Sequence, residues 1–249
     1  MTDRIALITG SGRGIGAATA VLAARAGYDV CVNYAADADR AEQTAAACRA
    51  AGRRAVAVQA DVGDPAAVER LFAACDEALG RVDLLINNAA VIGAATRVED
   101  LEAGALRRTF EVNLLGAIWC AQHAIRRMST DRGGPGGAIV NVSSMSATLG
   151  SAGEYVHYAA SKGALDTFTI GLAKEVGPVG IRVNGVQAGT TDTEIHARSG
   201  NPDRPEMVAR TAPLGRVAQP EDIAEAILWL ASDKASYTTG AILRVSGGL

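Results

Sequence analysis

The chain has 249 residues, a formal net charge of −3 and 49% hydrophobic residues. That is too apolar for a disordered chain and enough for a sizeable core, in one large α/β domain or two small ones. The near-neutral balance argues against a nucleic-acid partner, which usually draws a basic excess, and no apolar run approaches the ~18 residues of a membrane helix. Met1-Thr2-Asp3-Arg4 runs straight into an apolar segment without the pattern of a secretory leader, so a cytoplasmic protein is expected. Cys31, Cys48, Cys75 and Cys120 form no C-x-x-C pair and read as buried free thiols of a reducing compartment.

Ile5–Thr9 is short, apolar and β-branched, and a glycine cluster ends it, as expected of a buried parallel strand. Ile15 to Ala26 reads as an Ala-rich helix stopped by Gly27. Strands follow at Val30–Tyr34 and Ala55–Gln59, with a helix between them from about Asp39 to Gly52. Asp64-Pro65 is a helix start with proline at the first helical position, and that helix runs to Gly80. Val82–Ile86 is the fourth strand, followed by a long helix ending near Met128 and a strand at Ala138–Val142. A helix around Tyr155–Val176, a strand at Ile181–Val186, a helix from Pro220 and a last strand at Ala241–Val245 complete the pattern. Strand and helix alternate from end to end, so the expected fold is α/β: a three-layer, doubly wound, mostly parallel seven-stranded sheet in one domain spanning 1–249. Thr190 to Gly215 is long, polar and rich in Pro, Asn and Thr, which suits a lid.

The first strand leads into Gly10-Ser11-Gly12-Arg13-Gly14-Ile15-Gly16. The spacing is G-x-x-x-G-x-G, not G-x-G-x-x-G, and the physics is shared: glycines let the backbone turn sharply and approach a pyrophosphate, and the next helix offers free N–H groups. Dinucleotide folds that take NAD usually place an acid at the end of the second strand. Here that end reads Asn33-Tyr34-Ala35-Ala36, with no acid before Asp37, while Arg13 stands inside the glycine turn where a guanidinium would meet a 2′-phosphate. NADP(H) is therefore favoured over NAD(H).

Over essentially its whole length the chain resembles the short-chain dehydrogenase/reductase family. The glycine turn carries the resemblance together with Ala60-Asp61-Val62, Asn87-Asn88-Ala89-Ala90, Val112-Asn113-Leu114, Asn141-Val142-Ser143-Ser144 and Tyr158-Ala159-Ala160-Ser161-Lys162, all in family order. Ala90 replaces a glycine of the family pattern. The resemblance implies a Rossmann fold, an adenine contact at Asp61 and Val62, cofactor contacts at Asn88 and Ala89, and catalysis by Asn113, Ser144, Tyr158 and Lys162. Tyr158 and Lys162 are four residues apart and share a helix face, so the ammonium is expected to lower the tyrosine pKa. Adjacent serines on a strand point to opposite sides; the family pattern selects Ser144, and Ser143 stays open because the segment before Tyr158 is about one residue longer than the commonest spacing.

After the sixth strand, Gln187-Ala188-Gly189-Thr190-Thr191-Asp192-Thr193 resembles the family's P-G-x-x-x-T nicotinamide segment, with Ala188 in place of proline. Gly189, Thr191 and Thr193 are expected at the cofactor. No metal is expected, since no clustered ligands appear. His196, in the lid, is a candidate substrate contact. The leading activity is hydride transfer between a nicotinamide and a carbonyl or secondary alcohol of a small molecule. A 3-oxoacyl-carrier reductase and a sugar dehydrogenase are alternatives, and a dinucleotide sensor without turnover is a further one. Arg198, Arg204 and Arg210 are offset by nearby acids, which disfavours an acyl-carrier partner. The resemblance also implies a homotetramer or dimer built on the long helix from Leu106 to Met128 and on Ala241–Leu249.

Overall fold

The computed structural model describes residues 4–249, apart from the side chains of His196 and Arg198. The expectations for those two side chains lie outside the described residues. Seven parallel strands form one sheet in the order β3-β2-β1-β4-β5-β6-β7. In chain order the elements are β1 (Arg4–Ile8), α1 (Gly14–Arg25), β2 (Tyr28–Tyr34), α2 (Ala38–Ala50), β3 (Ala55–Gln59), α3 (Pro65–Ala78), β4 (Leu84–Asn87), α4 (Ala103–Phe110), α5 (Gly116–Met128), β5 (Gly137–Ser144), α6 (Ser146–Leu149), α7 (Val156–Val176), β6 (Ile181–Ala188), α8 (Ile195–Arg198), α9 (Arg204–Ala209), α10 (Pro220–Ala231) and β7 (Ile242–Val245).

The central strands are buried on both faces, and their period of two divides the core. On β1, Ile5 and Leu7 join one cluster, with Leu71, Phe72 and Cys75 of α3, Cys120 and Ala124 of α5, and Leu172 of α7. Ala6 and Ile8 join the other, with Ala20 and Ala24 of α1, Ala45 and Cys48 of α2, and Ile223 and Ile227 of α10. The central strands thus anchor helices on both faces, which is the expected three-layer arrangement.

Local departures from the expected boundaries have identifiable causes. The fourth strand begins at Leu84 because the Asp83 carboxylate accepts the Ile5 N–H at 2.8 Å, tying the chain to β1 before the ladder starts. Helix α2 begins at Ala38 because Asp37 is its N-cap, accepting the Arg40 N–H at 3.2 Å. The single long helix expected before Met128 is α4 and α5 joined through a π-helical turn at Glu111–Leu115. Asn113 sits in that turn and is buried. The expected lid segment carries two short helices, α8 and α9, and is tied to the start of α10 by a bridge between Thr191 and Ala218.

The sheet order reverses between β1 and β4, and a crevice opens beyond the carboxyl ends of the strands at such a point. The close approach of α1 to that point depends on Gly16. A Cβ there would lie 2.5 Å from Asn88 Nδ2 and 2.6 Å from the Gly10 carbonyl oxygen. Gly16→Ala is therefore expected to lower the unfolding free energy by about 1–3 kcal/mol in urea titration; an unchanged midpoint would contradict this packing.

Candidate active site

One cleft of about 880 Å³ runs along the carboxyl edge of the sheet. At its first end is the glycine turn. Gly10 and Gly14 adopt positive φ, +61° and +53°, and a Cβ on Gly10 would lie 2.9 Å from Ala89 Cα. Two neighbouring segments, the end of β2 and the stretch after β4, hold the turn's backbone. Gly10 N–H donates to Asn33 Oδ1 at 3.1 Å, and Ser11 N–H donates to the Asn33 carbonyl at 2.8 Å. The Asn88 amide donates to the carbonyls of Thr9 at 2.8 Å and Gly10 at 3.0 Å. Thr9 Oγ1 accepts the N–H groups of Asn88 and Ala89 at 2.9 and 3.0 Å. Helix α1 then starts with no side-chain cap and no acidic residue in its first turn. Such a start attracts an anion, and the missing Cβ atoms of the turn leave room for one, so these residues fit a dinucleotide pyrophosphate.

Of the residues predicted at the cofactor, Gly10, Gly12, Arg13, Gly14, Ile15, Gly16, Asp61, Val62, Asn88, Ala89, Tyr158, Lys162, Gly189, Thr191 and Thr193 line the cleft. Ser11 does not. It is fully buried and its hydroxyl donates to the Ile8 carbonyl at 2.7 Å, closing the turn from behind. The Asn88 side chain is spent on the turn as well. Asp61 pairs with Arg108 at 2.8 Å and accepts the Gly63 N–H at 2.9 Å; burial opposes its charge, and Arg108 and Gly63 together hold its carboxyl below the usual range.

The second end of the cleft gathers Ser144, Tyr158 and Lys162. Ser143 and Ser144 diverge as adjacent strand residues must. Ser143 is buried and donates to the Lys162 carbonyl at 3.3 Å. Ser144 accepts the Ser146 N–H at 3.1 Å and faces the Tyr158 hydroxyl, whose pKa it draws down. Tyr158 and Lys162 lie on the inner face of α7, and the Lys162 ammonium is 5.8 Å from the Tyr158 ring centre.

The electrostatics correct one expectation. Burial pushes the Tyr158 hydroxyl above its ordinary value, and the opposing pull comes from Ser144, not from Lys162. The ammonium instead donates to the Val142 carbonyl at 2.7 Å. Lys162 is 2% exposed, and burial pushes it down to about 8, with Asp166 opposing the shift. Asp166 was not singled out in the sequence, although it follows Lys162 by four residues and so shares its helix face. Its carboxylate accepts from Gln187 at 2.7 Å.

Asn113 does not line the cleft and makes no hydrogen bond to Tyr158 or Lys162 among those described. Its Oδ1 accepts the Val91 N–H at 2.8 Å, and its amide donates to the Val91 carbonyl at 2.9 Å and to Ser161 Oγ at 3.1 Å. It pins the loop after β4 to α7. His157 is buried and contacts the Ile92 carbonyl at 3.2 Å through Nε2, on the same loop. Among the described residues no group of three or more His, Cys, Asp or Glu side chains could hold a metal ion, and no helix is long and apolar enough to cross a membrane.

A family model described as enoyl-(acyl carrier protein) reductase, from the short-chain dehydrogenase class, matches residues 10–249. The chain is a short-chain dehydrogenase/reductase. It is 46% identical to the uncharacterized oxidoreductase YgfF of Escherichia coli, over 98% of this chain and 99% of that one. It is 42% identical to an L-rhamnose 1-dehydrogenase (NAD(P)(+)) of Sphingomonas, over 100% and 97% of the two chains. A short-chain dehydrogenase from Burkholderia cenocepacia, solved in complex with NADP, superposes with a TM-score of 0.88 at 35% identity, covering 98% of this chain and 97% of that one. This short-chain dehydrogenase/reductase is accordingly an oxidoreductase.

Lys162 gives this enzyme's stability a defined pH dependence. Its folded-state pKa of about 8 lies below the ordinary 10.5. Between the two, the unfolded chain holds a proton that the folded one lacks, so this group's contribution to stability rises with pH, by at most about 1.4 kcal/mol per unit. The buried thiols Cys48 and Cys120, pushed up to about 11 and about 12, act in the opposite sense. Comparison with Lys162→Met removes them. The unfolding free energy of Lys162→Met minus that of the wild type is expected to shrink from about pH 7.5 to about pH 9.5. A constant difference would contradict the buried, depressed lysine.

Proposed function

We propose that this enzyme transfers a hydride between NADP(H), in preference to NAD(H), and the carbonyl or secondary-alcohol carbon of a small soluble molecule. The observation that carries the reading is the gathering of Ser144, Tyr158 and buried Lys162 in the same cleft as the glycine turn. When bound, the nicotinamide supplies or accepts the hydride. Ser144 orients the substrate oxygen. Tyr158 gives that oxygen its proton in reduction and takes it in oxidation. The raised Tyr158 pKa keeps the hydroxyl protonated at neutral pH, and Ser144 opposes that rise. Lys162 would hold the nicotinamide ribose and keep positive charge near the tyrosine, with Asp166 supporting that charge. Asn113 positions the loop at Val91 and, as the resemblance implies, would hold a water on the route from Lys162 to solvent.

Arg13 carries the proposed preference for the 2′-phosphate, and Arg40, which the sequence reading missed, lines the same end of the cleft. The first turn of α2 brings Arg40 there, three residues after the Asp37 cap. Gly189, Thr191 and Thr193 would receive the nicotinamide, and Asp61 with Val62 the adenine.

We assign substrate choice to the lid at 190–215, within one domain spanning 1–249. Its described arginines are engaged: Arg204 with Glu154 and Arg210 with Glu206. That supports a small substrate over an acyl carrier. The L-rhamnose 1-dehydrogenase relative favours sugar oxidation as a second reading. Leu106 and Leu115, exposed on the long helix, and Leu243 and Leu249 near the C-terminus support assembly into a dimer or tetramer. The four buried free thiols suit the cytoplasm.

Tyr158→Phe is expected to cut turnover by about 10²–10⁴-fold while leaving NADPH binding nearly intact, measured at 340 nm across aldehydes, ketones, sugars and diketones. Full turnover in this variant would overturn the mechanism. Arg13→Ala is expected to reduce the NADP/NAD ratio of kcat/KM; an unchanged ratio would overturn the cofactor assignment.

A further inference from the structure

The lid carries an acid into the place that the proposed function gives to the cofactor's 2′-phosphate. Glu194 directly follows Thr193 and is the residue before α8. It ion-pairs with Arg40 and lies 3.8 Å from Arg13. Asp37 faces the same two arginines, 3.9 Å from Arg13 and 3.5 Å from Arg40. All four side chains line the cleft, and their formal charges cancel.

The two acids are held differently. Asp37 belongs to the α2 cap, where the Arg40 backbone N–H fixes its carboxylate. Glu194 reaches the arginines from the other side of the cleft, 154 residues further along the chain, on a segment with its own short helices. A phosphate monoester carries about −1.5 to −2 at neutral pH, so its approach to this neutral cluster repels both carboxylates. Asp37 cannot leave without uncapping α2. Glu194 makes no side-chain cap hydrogen bond to α8, so its displacement leaves both helix starts in place.

We propose that Glu194 is a specificity-determining residue that acts as an internal anion in the 2′-phosphate subsite. It competes with NADP(H) for Arg13 and Arg40, and hardly with NAD(H), whose ribose hydroxyls carry no charge to displace it. Until a phosphate arrives, the same ion pairs tie the first turn of the lid to α2. The inference rests on Arg13 and Arg40 being phosphate-binding residues.

The test measures dissociation constants by fluorescence titration for NADPH and NADH, and by competition for adenosine 2′,5′-bisphosphate, in the wild type, Glu194→Gln and Arg13→Ala. Glu194 is exposed at the cleft rim, and thermal melts report whether the variants fold as the wild type does. Glu194→Gln is expected to bind NADPH and the bisphosphate about three- to fivefold more tightly at low salt, the worth of an exposed ion pair. NADH affinity stays nearly constant, and the gain fades at high ionic strength. Arg13→Ala is expected to weaken NADPH far more than NADH. If Arg13→Ala discriminates in this way but Glu194→Gln does not tighten NADPH selectively, or weakens it, the competing-anion role is overturned and the cofactor assignment stands. If Arg13→Ala fails to discriminate, the assignment itself falls, and the role of Glu194 with it.

Discussion

The structure depends on how the backbone passes from β1 into α1. The chain must turn within a few residues between the ends of β2 and β4, closely enough that a methyl group on Gly10 would strike Ala89. A buried turn leaves backbone polar groups with no water, and each must find a partner. Asn33 and Asn88 supply those partners from β2 and the segment after β4, and the Thr9 hydroxyl accepts that segment's N–H groups in return. Because the surrounding strands absorb the turn's inward-facing groups, the first turn of α1 keeps its own N–H groups for an anion. The site and the sheet are therefore one construction.

The other end of the cleft follows the same logic with charge in place of backbone. A chain of buried polar groups runs beneath it: Asn87 donates to Asn141 at 2.9 Å, Asn141 to Thr169 at 2.8 Å, and Thr169 to the Leu165 carbonyl at 2.8 Å. It locks α7 against β4 and β5, and so fixes the register of Tyr158 and Lys162 relative to Ser144. Burial acts on the pair in opposite senses, raising the tyrosine and depressing the lysine. Their usefulness then rests on the few groups that oppose desolvation, Ser144 for one and Asp166 for the other.

The fold was legible because strands buried on both faces read as continuous apolar runs and helix ends carry local punctuation. Gly27, Gly52 and the Asp64-Pro65 start all fall where the chain changes element. Motif spacing likewise located the glycine turn and the Tyr158–Lys162 pair. What stayed hidden depends on tertiary direction. Nothing local says that the Ser11 hydroxyl turns inward, or that the Lys162 ammonium finds Val142 before Tyr158. The π-helical turn around Asn113 has no sequence signature of its own. Glu194 meets Arg40 only because β6 and β2 end on the same edge of the sheet.

The central claim is that the α1 start and the Ser144–Tyr158–Lys162 cluster serve one extended dinucleotide. A crystal structure of the wild-type enzyme with NADPH tests it most directly. The account predicts the pyrophosphate on the N–H groups at the start of α1 and the nicotinamide ring beside Tyr158, with its ribose against Lys162. A dinucleotide bound elsewhere, or one whose nicotinamide lies away from Tyr158 with the pyrophosphate off the glycine turn, would contradict it.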